Sequence, residues 1–117
     1  MTERVDRSEM SPVHLAVETD DLAELTRLLD AGHDPNELDS YSGWTPLLRA
    51  IGGEADGSIQ TGQPLGCAGT AVLLAYGADP QHPSWDGLTP YHLAFQSRHE
   101  MAVRLIEAHV ARRGTAG

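Results

Sequence analysis

The sequence predicts an all-α fold, a short solenoid of helix-turn-helix units joined by hairpin loops. An opening phrase occurs three times, as S-P-V-H-L-A at 11–16, T-P-L-L-R-A at 45–50 and T-P-Y-H-L-A at 89–94. A closing phrase occurs twice, as L-L-D-A-G-H-D-P at 28–35 and L-L-A-Y-G-A-D-P at 73–80. Because the opening phrase always precedes the closing one, we infer that the chain repeats one structural unit.

These phrases supply the residues that begin and end helices. Ser11 and Thr89 each precede a proline, so a hydroxyl N-cap is followed by proline at the first helical position. Gly32 and Gly77 follow apolar segments and suit the left-handed conformation at a helix C-terminus. The predicted helices lie near 12–19, 22–31, 46–52, 67–76, 90–97 and 100–111, with hairpin loops at 33–44 and 78–88.

The paired phrases resemble the ankyrin repeat, whose unit is a turn and two helices over about 33 residues. The resemblance covers roughly residues 11–113 and divides them into repeats at about 11–43, 44–87 and 88–113. Residues 1–10 are then an N-terminal tail or partial cap, and residues 114–117 a C-terminal tail. The residues that match the repeat motif are Pro12, His14, Gly32, Thr45, Pro46, Gly77, Thr89, Pro90 and His92.

The resemblance also implies structural roles. The histidine of the opening phrase hydrogen-bonds between neighbouring turns in ankyrin repeats, so His14 and His92 are expected to do the same. Leu48 replaces it in the second unit, where that bond is expected to be missing. Trp44 fits a position where large side chains pack between adjacent turns. The third unit lacks the closing phrase, so we expect a terminal cap with a polar outer face.

The second unit is longer than the others. Pro12 and Leu28 are 16 residues apart, whereas Pro46 and Leu73 are 27 apart, an excess of 11. The excess falls at about 53–66, a segment rich in glycine and polar residues, as is typical of a loop. We therefore predict that the first helix of this unit ends near Gly52-Gly53 and that an inserted loop follows. A functional loop and a tolerated passenger both fit the sequence.

Composition excludes several classes of protein. The chain has 17 acidic and 8 basic residues, a net charge of −9, which weighs against nucleic-acid binding. No segment predicts a membrane span or a signal peptide, so we expect a cytoplasmic protein. Cys67 is the only cysteine, which excludes an internal disulfide, and we expect its thiol to be buried at the start of a helix. No catalytic motif is present, so we predict no cofactor, no metal and no catalytic residue.

The candidate contacts for a partner lie on the hairpin loops, the inner helices and the insertion. Tyr41 and Trp85 each stand two residues before a glycine near a hairpin tip, and exposed aromatic residues are favoured interface anchors. The alternative is that each ring folds over its own loop. Arg49 is expected to face the groove. The predicted partner-binding residues are Tyr41, Trp85, Arg49, Glu37, Asp39, Glu54, Asp56 and Ile59.

The sequence thus predicts a protein–protein interaction module that binds a basic partner through the concave face of its hairpins and inner helices. An inhibitor or immunity-type protein is one such module, by analogy alone. The alternative is a small enzyme with a pocket between the insertion and the hairpins, using Glu54, Asp56, His82 and His92 as acid–base groups. Exposed end faces could also pair two stacks, so the expected state is a monomer or a weak homodimer.

Overall fold

In the part of the chain that the structure describes, six α-helices follow one another in three antiparallel pairs. The computed structural model describes residues 11–40, 42–61 and 66–116. For residues 57–61 and 113–116 it describes the backbone only. The helices are α1 (Pro12–Glu18), α2 (Leu22–Asp30), α3 (Pro46–Thr61), α4 (Ala68–Ala75), α5 (Pro90–Gln96) and α6 (Glu100–Ala116). Strands are absent from the described ranges, so the predicted all-α class is confirmed.

The helices form two layers that share one core. In the inner layer α1 contacts α3, and α3 contacts α5; in the outer layer α2 contacts α4, and α4 contacts α6. Each unit therefore packs on the next, as in a repeat solenoid. The core consists of aliphatic and small side chains from every helix, with Leu25, Leu47, Ile51, Leu73 and Ala102 all completely buried. The small side chains let the helices of adjacent units approach closely.

The expected capping residues begin and end the helices. The Ser11 and Thr89 hydroxyls accept the backbone N–H of the third residue that follows, at 3.1 and 3.2 Å, and Thr45 does the same for Leu48. Gly32 and Gly77 have φ angles of +101° and +98°, the left-handed conformation that favours glycine. Consequently α1, α2, α4 and α5 agree with their predicted spans to within one residue at each end.

The prediction for the end of α3 is wrong. This helix does not stop at Gly52-Gly53 but continues to Thr61, so much of the 53–66 insertion extends a helix instead of forming a loop. A Cβ on Gly52 would lie 3.2 Å from the Trp44 ring, so this glycine permits close packing and does not end the helix. The buried Ala55 and the anchored side chain of Glu54 hold the extension in place and offset the low helix propensity of glycine.

Two predictions about the third unit also need correction. Helix α6 continues to Ala116, through most of the predicted 114–117 tail, because Val110 stands where the closing glycine Gly32 ends α2. The end face of this unit is only partly polar: Phe95 is 69% exposed and Tyr91 38%, beside the exposed Glu107. Within the described ranges, no helix has the length and apolar character that a bilayer crossing demands.

Candidate functional site

A cleft of about 810 Å³ lies between the first and second units, beside the extension of α3. Its apolar wall comes from Val17, Leu22, Leu25 and Trp44. Carboxylates surround this wall, and small residues on α3 and at the start of α4 keep the cleft wide. The acidic lining residues are Glu18, Asp20, Glu54 and Asp56, and the small ones include Gly52, Gly53, Gly66, Ala68 and Gly69.

Arg49 holds the first hairpin loop to the inner helices. Its Nη2 donates to Asp39 Oδ2 at 3.3 Å and to Ser42 Oγ at 3.1 Å, while its Nη1 lies 3.6 Å from Glu18 Oε1. The guanidinium lies 5.9 Å from the centroid of the Trp44 ring, within cation–π range. Asp39 is only 2% exposed, so its charge is compensated inside the hairpin. Arg49 lines the cleft, but its main contacts are structural.

Glu54 connects three helices. Its Oε1 accepts the Thr70 hydroxyl at 2.8 Å and its Oε2 accepts the Thr70 backbone N–H at 3.1 Å. Cys67, the N-cap residue of α4, makes no side-chain capping bond, so Glu54 caps this helix from a distance. A carboxylate at a helix N-terminus also interacts favourably with the helix dipole. The Cys67 side chain is half-buried, not fully buried as expected.

His99 completes the network around Glu54. The ring is fully buried at the start of α6, and its Nδ1 accepts the Ala102 backbone N–H at 3.3 Å. The other nitrogen, Nε2, therefore carries the proton and donates to Glu54 Oε1 at 2.7 Å. This role was not predicted from the sequence, although His99 occupies the same position in its unit as Asp21, the N-cap of α2.

The residues of the alternative catalytic set do not come together. Glu54 and Asp56 line the cleft, but His82 and His92 are not among its lining residues. Glu54 accepts three hydrogen bonds, and His99 has both ring nitrogens engaged, so neither is poised to exchange a proton with a substrate. In the described ranges, no group of three or more His, Cys, Asp or Glu side chains could hold a metal ion.

The two histidines of the opening phrase have different environments. His14 is fully buried; Ser11 Oγ lies 2.6 Å from its Nδ1, and its Nε2 lies 2.8 Å from the Trp44 carbonyl oxygen, which bridges two units. Burial lowers the pKa of His14 below its ordinary value of 6.5, against the opposing effect of the Trp44 hydrogen bond. His92 is exposed, and its ring makes no bond between turns among the described residues, because the third unit is the last one described.

The hairpin loops are linked to each other along one edge of the stack. Asn36 accepts the Asp79 backbone N–H at 2.6 Å and donates to the Gly77 carbonyl oxygen at 3.3 Å. The Trp85 backbone N–H donates to the Gly43 carbonyl oxygen at 3.1 Å. These bonds fix the second loop against the first, a role for Asn36 that the sequence analysis did not assign.

Trp85 combines a fixed position with high exposure. Its indole lies so close to Gly43 that a Cβ at that glycine would overlap the ring, yet 62% of the residue remains exposed. The ring thus covers the preceding hairpin loop and not its own. Glu37 and Asp56 are exposed, whereas Tyr41 and the side chain of Ile59 lie outside the described residues.

Comparisons with known proteins agree with this architecture. A family model described as ankyrin repeats (3 copies) matches residues 13–113. The chain is also similar to an ankyrin repeat domain of known crystal structure from Acinetobacter baumannii AYE, with a TM-score of 0.72 and 26% identity. That alignment covers 92% of this chain and 51% of the other.

Curated relatives match over short parts of much longer proteins. The human ARF GTPase-activating protein GIT1 is 36% identical over 96 residues, which is 81% of this chain and 11% of that protein. Human SH3 and multiple ankyrin repeat domains protein 1 is 39% identical over 80 residues, 68% of this chain and 3% of that protein. The murine 2-5A-dependent ribonuclease is 32% identical over 79 residues, 9% of its length. The family model covers most of the chain and describes the same architecture as the three stacked helix pairs, and the chain therefore belongs to the ankyrin repeat family.

Proposed function

We propose that this chain is a protein-interaction module that binds a basic segment of a partner protein in the cleft beside α3 and along the hairpin loops. The observation that carries the proposal is the cleft itself, in which an apolar wall containing Trp44 stands among the carboxylates of Glu18, Asp20 and Asp56. A lysine or arginine side chain fits this combination, because its apolar stem packs on hydrophobic surface while its charged end meets carboxylates.

The charge of the whole molecule supports the same partner class. A net charge of −9 attracts a basic protein over several ångströms and accelerates its encounter, more so at low ionic strength. An inhibitor or immunity-type protein that covers a basic surface of its target would use this chemistry. The name of one relative, SH3 and multiple ankyrin repeat domains protein 1, places ankyrin repeats in one protein with an SH3 domain, and this chain matches 3% of it.

The rigidity of the hairpin row favours binding without rearrangement. Asn36 and the Trp85 backbone join the two loops, so the exposed indole of Trp85 is held in position before a partner arrives. Little side-chain entropy is then lost on association, and a large exposed aromatic ring is a preferred anchor. Trp85 and the cleft together define the contact surface of the proposal.

The proposal is tested by capturing a partner from the native host by photo-crosslinking and measuring its affinity for matched variants. Asp56→Lys reverses a charge in the cleft, and Glu100→Lys makes the same change of net charge at an exposed position on α6. We expect Asp56→Lys to weaken binding at least about tenfold and Glu100→Lys to act only through long-range charge. If the two variants weaken binding equally, the partner does not bind in the cleft.

A further inference from the structure

The third unit ends in a face that the rest of the described chain leaves uncovered. We call it the terminal face and define it by Tyr91, Phe95 and Glu107. Phe95 is 69% exposed and Tyr91 38%; their rings lie 6.4 Å apart on α5. The Tyr91 hydroxyl donates to Glu107 Oε2 at 3.0 Å, which joins α5 to α6 across this face. An exposed aromatic pair of this kind indicates a contact surface.

The repeat alignment shows which kind of surface fits the terminal face. The residues of the terminal face occupy positions that are buried in the second unit, which another unit follows; in the first unit the counterpart of Phe95, Val17, is half-buried. Tyr91, Phe95 and Glu107 correspond to Leu47, Ile51 and Leu74 in the second unit, which are 0%, 0% and 5% exposed. The terminal face therefore lies where a further ankyrin unit would pack on the third one. The side of that further unit in contact with it is called its leading side.

The leading side of the first unit is open in the described residues. It forms a shallow groove of about 350 Å³, here called the leading groove, lined by Pro12, Leu15, Ala16, Thr19, Asp21 and Glu24. The corresponding residues of the third unit are mostly buried against the second. Four of them, Leu93, Ala94, His99 and Ala102, are between 0% and 9% exposed. The leading groove is thus the counterpart of the terminal face.

The charges near the two surfaces are mostly opposite: acidic groups predominate beside the leading groove, where Glu24 is paired with Arg27 at 2.7 Å, and arginines lie near Glu107 at the terminal face. Asp21 and Glu24 line the leading groove, next to Asp20 in the same turn. The third unit carries Arg98 before α6, and Arg104 one helical turn before Glu107, both exposed. Contact between two terminal faces would bring these arginines together, whereas contact of a terminal face with a leading groove brings them to carboxylates.

We propose that the terminal face docks into the leading groove of a second copy of this chain, so that copies associate head to tail and continue the solenoid. Phe95 then packs on Leu15 and Ala16 of the neighbouring copy and becomes buried, as its counterpart Ile51 is in the second unit. A head-to-tail contact is heterologous, so each copy keeps one unused surface after the first contact and assembly proceeds beyond the dimer as the concentration rises. The contact leaves Trp85 and most of the cleft outside the interface; Ala16 lines both the cleft and the leading groove.

Two complementary variants test the proposal by sedimentation velocity. Phe95→Asp damages the terminal face only, and Thr19→Arg damages the leading groove only; both residues are exposed, so the fold should persist. Gln81→Asp and Gln81→Arg are the charge-matched controls, at one exposed position of the second hairpin loop that belongs to neither surface. We expect the wild type and both controls to grow past the dimer, and each variant alone to associate at least about tenfold more weakly.

Mixing the two variants gives the decisive measurement. Thr19→Arg keeps an intact terminal face and Phe95→Asp an intact leading groove, so the mixture should form one-to-one dimers and nothing larger. Dimers of Thr19→Arg alone would mean that terminal faces pair with each other and would overturn the head-to-tail assignment. A wild type that stays monomeric over the whole concentration range would overturn self-association altogether. Partner binding through the cleft is unaffected by either result.

Discussion

At the scale of single residues, glycine serves two different purposes in this chain. Gly32 and Gly77 have positive φ angles and open space around them, so glycine is present for its backbone conformation alone. Gly43 has a positive φ of +71° and also lies under the Trp85 ring. The sequence places all three glycines after turn or helix signals, but only the structure distinguishes the one that supports a neighbouring loop.

Gly43→Ala and Gly77→Ala separate these two purposes. Gly77→Ala should lower the free energy of unfolding by about 1 kcal/mol, the cost of a side chain in a left-handed conformation. Gly43→Ala should cost at least about 1 kcal/mol more, because its Cβ overlaps the Trp85 ring and displaces it. Urea denaturation of both variants measures the difference. In Gly43→Ala combined with Trp85→Ala, the extra cost should vanish; its persistence would show that the ring does not rest on Gly43.

The residue scale also explains why His14 and Leu48 can occupy equivalent positions. Both side chains are fully buried, but His14 reaches the Trp44 carbonyl oxygen in the next unit, whereas Leu48 belongs to the apolar core. Burial that lowers the pKa of His14 favours the neutral ring, which keeps one N–H to donate across the units. The opening phrase thus tolerates a polar bridge or an apolar contact at the same site.

At the scale of helices, local signals predicted the short elements and failed for the long one. Ser11, Thr89, Gly32 and Gly77 act within a few residues of themselves, so the ends of α1, α2 and α5 could be predicted from the sequence. The extension of α3 depends on Glu54, whose partners Thr70 and His99 are 16 and 45 residues away. No local pattern contains that information, so the glycines indicated a loop where tertiary contacts favour a helix.

Glu54→Ala tests whether this network holds α3, α4 and α6 together. Removal of the carboxylate leaves the buried His99 Nε2–H and the Thr70 N–H without acceptors, so the free energy of unfolding should fall by about 2–3 kcal/mol. Glu54→Gln keeps an oxygen acceptor and should lose less. Urea denaturation followed by circular dichroism measures both. If Glu54→Ala is as stable as the wild type, the Glu54 network does not hold the three helices together.

At the scale of the whole molecule, the repeat determines which positions are buried inside the stack. In the last described unit, equivalent positions become exposed because no further unit covers them. The fold, the order of the units and the presence of an insertion all followed from phrase spacing. The roles of the candidate contact residues did not, because Arg49, Asp39 and Glu54 have the composition of a binding site but are engaged in internal bonds. Arginine, aspartate and glutamate side chains occur both in the internal bonds of a repeat protein and at its interfaces with partners. The sequence alone therefore does not distinguish the two roles.

Ile51 and Phe95 occupy the same position in successive units and test this end effect directly. Ile51 is fully buried between units, so Ile51→Ala should cost about 2–4 kcal/mol through lost burial and an internal cavity. Phe95 is 69% exposed in the single chain, so Phe95→Ala should change the free energy of unfolding by less than about 0.5 kcal/mol in dilute solution. Thermal and urea denaturation at low protein concentration compare the two, and both should unfold in one transition because every unit contacts the next. A large loss for Phe95→Ala under these conditions would mean that the terminal face is already covered within one molecule, and no second copy would then be needed to bury it.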